Sequence, residues 1–152
     1  LLRIGPIAWL SGTYLPLFSI IFVDIWQWTP FVALLMLAGL QGLPKPPYEA
    51  AAIDGATAWQ RFVSITLPLL RPTLLVVLLL RTIDTLKVFD TVYVLTTGGP
   101  GRATEVLSMH AFHLGFKYFR MDRATAFCYL MLVIISVIAL CLIKLLRSEE
   151  KV

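Results

Sequence analysis

Between Ala124 and Ile143 the chain runs twenty residues without a charged side chain. As an α-helix that stretch is about 30 Å long, which matches the hydrocarbon core of a bilayer. A transmembrane helix is therefore expected here, drawn to about residue 146. Composition extends the conclusion to the whole chain. Hydrophobic residues make up 59% and charged ones 14%, and a mean hydropathy of +0.83 is far above the balance of a soluble domain, where charged residues are roughly a quarter.

Two further spans are expected. One covers about Leu17 to Leu40, apolar apart from Asp24, Gln27 and small polar residues, with Trp26 and Trp28 near one end, where amphipathic rings favour the membrane interface. Pro30 should kink it. The other starts at Pro72, whose missing N–H is harmless in a first helical turn, and continues to about Leu95. Three spans put the two ends of the chain on opposite sides of the membrane. Positive charge does not decide which is inside: Lys45, Arg61, Arg71, Lys144, Arg147 and Lys151 on one side face Arg3, Arg102, Lys117, Arg120 and Arg123 on the other, six against five. The sequence opens at Leu1 with no basic region followed by a short apolar core and a small-residue cleavage site, so no signal peptide is read. Three spans make a poor closed pore, and either part of a longer membrane protein or a subunit that assembles with others is expected. The net charge of +4 is spread over loops and tail, which argues against a nucleic-acid-binding stripe.

The segment between the first two spans, about residues 41–71, has a different character. Gly42-Leu43-Pro44-Lys45-Pro46-Pro47 cannot form a regular helix and makes a stiff exit from the bilayer. A short helix then begins: Pro47 suits its first position, Glu49 puts a carboxylate in the positive first turn, and Ala50, Ala51 and Ala52 are strong helix formers with little bulk. Gly55 offers a stop. Thr57 and Gln60 have capping-box spacing for a second short helix, which carries Trp59, Phe62 and Val63 and is ended by Pro68. Small residues allow another surface to approach the backbone closely, and Trp59 and Phe62 can anchor the second helix to the spans. The alternative is an amphipathic loop lying on the membrane surface.

Glu49-Ala50-Ala51, three residues, Gly55, nine residues, then Ile65-x-Leu67-Pro68 is a fixed register, with Asp54 before the glycine. These residues resemble the EAA loop of the inner-membrane permease subunits of binding-protein-dependent ABC importers, in the sugar branch that includes the maltose-type permeases. The resemblance extends to Trp28 and Pro30, Leu40-Gln41, Phe89 through Thr96, Gly98-Gly99-Pro100 and Thr104, and so covers essentially the whole chain. Against that family the chain looks like the C-terminal half of a permease. The resemblance implies an all-α polytopic membrane helical bundle, the ABC transmembrane type-1 permease fold in part, with about three spans. It implies a multi-pass protein of a bacterial or archaeal cytoplasmic (inner) membrane.

The resemblance also implies a mechanism. The EAA loop would be a cytoplasmic coupling helix seated in a cleft of a separate ATPase subunit, and closure of an ATPase dimer would rock the spans between inward- and outward-facing states. Glu49, Ala50, Ala51, Asp54, Gly55, Ile65, Leu67 and Pro68 become the coupling residues, Glu49 pairing with a basic group while Ala50, Ala51 and Gly55 permit close approach. The loop and the Lys144–Val152 tail fall inside, and the segment of about residues 96–123 falls outside. Implied partners are the ATPase dimer, a second permease subunit, an extracytoplasmic sugar-binding protein, the sugar and membrane lipid, with no nucleic acid. No cofactor is expected in this chain, ATP and Mg belonging to the ATPase.

Arg81, Asp84, Lys87 and Asp90 recur every three residues with alternating sign, a spacing at which helical neighbours pair. Counted from Pro72, Arg81 and Asp84 fall about 14 and 18 Å into the helix, near mid-bilayer. Charges there are costly and by default face a bundle interior or an aqueous path. Arg81, Asp84 and Lys87, with Asp24 as a possible neighbour, are thus candidates to line or gate the sugar pathway; structural pairing between helices is the alternative. Thr97-Gly98-Gly99-Pro100-Gly101 lacks the Lys-Ser or Lys-Thr and the preceding strand of a phosphate-cradling loop and reads as a turn. Ala103 to Phe119 fits a helix at the membrane surface or dipping into it. His110 and His113 have a spacing compatible with one metal, but no accompanying ligand pair is evident, and no metal is expected. Cys128 and Cys141, thirteen residues apart in one span, cannot bridge and read as small apolar fillers. With no Ser-His-Asp set and no acid/base carboxylate pair, an enzyme is not expected. A permease for polyamine, phosphate or peptide, and a membrane anchor that recruits a cytoplasmic partner, remain the alternatives.

Overall fold

A computed structural model describes residues 9–10 and 14–149, with side chains to residue 144. Arg3 and Lys151 from the charge count lie outside the described residues, as does the side chain of Arg147. Among the described residues the secondary structure is helices and turns, with no strand. We number the helices α1 (Leu15–Gln41), α2 (Pro46–Ile53), α3 (Ala58–Leu86), α4 (Asp90–Thr96), α5 (Leu107–Phe112) and α6 (Met121–Glu149). Three of them, α1, α3 and Met121–Lys144 of α6, are long and apolar enough to cross a membrane.

Two of the expected spans coincide with α1 and α6, and α1 runs unbroken through Pro30. The middle one does not follow its expected bounds. Its helix neither stops at Pro68 nor starts at Pro72 but runs from Ala58 to Leu86. Ahead of Pro68 the helix opens into a π-helical turn, Phe62–Thr66, in which the N–H of Leu67 bonds to the carbonyl of Phe62. That wider register takes up the proline without ending the helix. At the far end the helix closes nine residues before the expected Leu95. Lys87 N–H bonds to Asp84 O at 3.0 Å and Val88 N–H to Thr85 O at 3.3 Å, the tight bonds of a terminating turn. Asp90 then opens α4, its carboxylate in the positive first turn.

Backbone contacts divide the chain into two compact units. One comprises Thr29–Thr82 and Ala139–Val152. Its packed stripe on α3 is Thr66, Leu70 and Val77, with exposures of 9%, 4% and 8%. The i, i+4, i+11 spacing keeps these on one helical face. Gly39 of α1 lies against Thr73 on this side of α3: a Cβ at Gly39 would come within 2.7 Å of Thr73 Cγ2. Only a glycine permits so close an approach of the two helices.

The other unit comprises Leu1–Trp28 and Ile83–Ile138. Val92 and Met109 are fully enclosed at its centre, and Ile20 and Ala124 are also buried. Ser108 Oγ donates to the carbonyl of Val88, tying α5 to the turn after α3. Between α4 and α5 the chain turns through Thr97, Gly98 and Gly101, all with positive φ. Thr104, 2% exposed, satisfies its hydroxyl there, 2.7 Å from Thr96 Oγ1 and 2.9 Å from the Gly99 carbonyl. The turn expected at residues 97–101 is thus a hydrogen-bonded one. The helix expected over residues 103–119 is shorter: α5 followed by a π-helical turn, His113–Lys117.

Candidate functional site

The eight EAA-loop residues are distributed over α2, its C-terminal turn and the start of α3. α2 begins at Pro46, one residue before the expected start, because the first two helical N–H groups have no intrahelical partner and both prolines fit there. Glu49 lies in the first turn and is exposed; Ala50 is exposed and Ala51 half-buried. The helix closes in a Schellman motif. Gly55 N–H bonds to Ala52 O at 3.2 Å and Ala56 N–H to Ala51 O at 2.9 Å. Gly55 supplies the φ of +72° this turn requires, and its missing side chain faces open space. Asp54, exposed, is the residue at the helix end just before it.

Two residues on, Thr57 starts α3 with a complete capping box: Thr57 N–H to Gln60 Oε1 at 2.8 Å and Gln60 N–H to Thr57 Oγ1 at 3.3 Å. Ile65 falls within the π-helical turn and Leu67 and Pro68 directly after it. Ile65 and Pro68 are half-buried and Leu67 exposed. The structure therefore brings both ends of the motif into one local assembly. Tyr48 joins them, its hydroxyl donating to Thr66 Oγ1 at 2.9 Å. Trp59 and Phe62 do not anchor α3 as expected. They stack on each other, centroids 5.8 Å apart, and are 72% and 45% exposed. Burial on α3 begins only further along, at Thr66 and Leu70.

The candidate pathway charges are less uniform than their spacing. Asp24, Arg81 and Asp84 are half-buried, and Lys87 is exposed. Arg81 and Asp84 share α3, three residues apart, whereas Lys87 follows its end and Asp90 opens α4. The expected four-member helical stripe is therefore interrupted after Asp84, because the helix stops.

A second polar cluster surrounds Glu105. Its side chain is 8% exposed and receives the Arg102 Nε–H on one oxygen. On the other oxygen it faces His110 Nδ1 at 3.0 Å and His113 Nδ1 at 3.4 Å. The Arg102 guanidinium, opposed by burial and aided by the two imidazoles, holds the Glu105 carboxyl below its ordinary 4.5, at about 2.

With this geometry in hand, the chain can be placed: it belongs to the family of binding-protein-dependent transport system inner membrane components, whose profile matches residues 1–149. It is 55% identical over 113 residues to the trehalose/maltose transport system permease protein MalF of Thermococcus litoralis, covering 74% of this chain and 38% of that one. It is 36% identical over 146 residues to the lactose transport system permease protein LacF of Rhizobium radiobacter, covering 91% and 49%. Among solved structures, a bacterial ABC transporter involved in import of the acidic polysaccharide alginate is similar with a TM-score of 0.81 and 30% identity, over 96% of this chain and 51% of that one. The fold is thus that of an all-helical ABC importer permease of the inner membrane, and the chain spans about half or less of the length of these relatives.

Sequence reasoning missed three participants. Tyr48 stands just before the motif, Thr66 is its unspecified position between Ile65 and Leu67, and Arg61 Nε is enclosed with no hydrogen-bond partner. Eighteen residues separate Tyr48 from Thr66. A hydroxyl on an apolar stripe was the one available signal.

Proposed function

We propose that this chain is the C-terminal part of a permease subunit of an ABC importer that moves a sugar across the cytoplasmic membrane, driven by ATP hydrolysis in a separate subunit. The observation that carries the reading is the EAA register realised as α2, a glycine turn, a capping box and a helix continuous with a membrane-crossing segment. In this reading Glu49, Ala50, Ala51, Asp54, Gly55, Ile65, Leu67 and Pro68 form the surface offered to an ATPase dimer, which holds ATP and Mg. α2 and the tail lie in the cytoplasm, and the segment of about residues 96–123 lies outside, where a sugar-binding protein would dock. A second permease subunit completes the pathway. The carbohydrate transport systems named for the relatives favour a sugar over polyamine, phosphate or peptide.

Within that pathway Asp24, Arg81 and Asp84 are the candidates to meet substrate, since partly buried charge on membrane helices is retained where it faces protein or water. Lys87 is a weaker candidate, exposed beyond the end of α3. The test is uptake by cells expressing the full-length permease with its ATPase and binding protein. A labelled sugar should accumulate and be competed by sugars alone, and Asp84→Asn and Arg81→Gln should each lower uptake about tenfold or more, the scale of losing one charged partner. Competition by polyamine, phosphate or peptide would replace the substrate class, and unchanged uptake in both variants would remove these residues from the pathway.

A further inference from the structure

α2 and α3 are joined in two ways. The covalent link is the turn from Asp54 to Thr57, which passes through Gly55 at φ +72°, where an added Cβ would meet no atom within 4 Å. A glycine turn held by local hydrogen bonds alone is the softer connection. The second link is stiff. Tyr48 Oη donates to Thr66 Oγ1 at 2.9 Å, and the Thr66 hydroxyl reaches the Arg61 carbonyl at 3.5 Å. Thr66 is 9% exposed, so its hydroxyl has little access to water and depends on these partners.

The position of this chain of bonds matters. Arg61 is the residue leading into the π-helical turn and Thr66 is its last member. A hydroxyl relay from α2 therefore engages both ends of that turn. π-helical turns are uncommon, depart from the regular hydrogen-bond register and recur where helices do mechanical or chemical work. A push on α2 transmitted only through Gly55 would be absorbed as backbone rotation. Transmitted through the aromatic ring of Tyr48, which has two rotatable bonds, it arrives at the π-helical turn.

We infer that Tyr48 and Thr66 form a positioning strut, which makes α2 and the base of α3 move as one body and delivers displacement of α2 to the π-helical turn as a change in the direction of the membrane helix. The inference rests on the reading of α2 as the coupling helix, and it assigns to two residues outside the motif's specified positions the step between docking and rocking.

The experiment uses the full-length permease with its ATPase and binding protein in proteoliposomes, comparing wild type with Tyr48→Phe, Thr66→Val and Thr66→Ser. Three quantities are read: permease level, ATPase retained on purification, and sugar moved per ATP hydrolysed. Tyr48→Phe and Thr66→Val each keep the shape of the residue they replace. They should lower sugar per ATP by roughly three- to tenfold, the weight of one neutral hydrogen bond, with permease level and ATPase retention at the wild-type value. Thr66→Ser, which keeps the hydroxyl, should restore the wild-type ratio. An unchanged ratio in Tyr48→Phe and Thr66→Val overturns the strut. So does a loss explained by reduced permease level or ATPase retention, which marks the bond as holding the fold or the complex together. If wild type itself shows no ATP turnover dependent on sugar-loaded binding protein, the coupling-helix reading falls first and the strut with it.

Discussion

Glu105 gathers Arg102, His110 and His113 onto one enclosed carboxylate, and these contacts fasten the turn after α4 to α5. Because its folded-state value of about 2 lies below the ordinary 4.5, the carboxylate contributes stability that is present above that ordinary value and is lost as pH falls toward the folded one. In the full-length permease, Glu105→Gln should raise amide exchange across residues 97–117 relative to wild type at pH 7, and the gap between the two should narrow by pH 3. Equal exchange at pH 7 would show that the cluster does not hold the segment. The sequence offers His110 and His113 as a pair by spacing alone. Their shared partner was not legible, because Glu105 and Arg102 come from across a turn and such pairing depends on backbone conformations that local spacing does not specify. Tyr48 and Thr66 were hidden for the same reason, whereas the Thr57–Gln60 capping box, a purely local device, was read correctly.

At the scale of elements, local signals placed the start of α3 at Thr57, the end of α2 before Gly55 and the long apolar helix α6. Proline misled. Pro68 and Pro72 read as a stop and a start, yet the helix passes through both, with a π-helical turn shifting the register upstream of Pro68. No local residue preference announces that shift. The contact of α1 with α3 at Gly39 gives this level a direct test. A methyl group there would sit 2.7 Å from Thr73 Cγ2 and 2.8 Å from Thr73 Oγ1, on a short branched side chain with little room to yield. Gly39→Ala should therefore lower the thermal stability of the detergent-solubilised full-length permease, by about 1–3 kcal/mol as for other overpacked sites. Pairing it with Thr73→Ala should recover part of the loss. A Gly39→Ala permease as stable as wild type would mean that the helices separate freely at this point.

Taken as a whole molecule, the chain exposes apolar surface that water would not tolerate. Tyr129, Leu130, Leu132, Val133, Val137 and Leu140 of α6 are each more than half exposed, and α1 carries Phe18, Phe22, Trp26 and Leu34 in the same state. Such faces require lipid or further protein. This demand was legible in the uncharged run of Ala124–Ile143, and the family was legible because the EAA register fixes many positions at once. The substrate was not, since recognition depends on groups converging from helices whose mutual placement spacing does not encode. The coupling proposed for the Glu49–Pro68 assembly joins this permease to an ATPase. Its most direct test is ATP turnover by the reconstituted full-length complex with and without sugar-loaded binding protein, in wild type and in Glu49→Ala and Gly55→Leu. Wild type should be stimulated only when the loaded binding protein is present, and both variants should lose that stimulation, Glu49→Ala by about tenfold or more for the loss of a charged contact. Full stimulation retained in both variants would contradict the assignment.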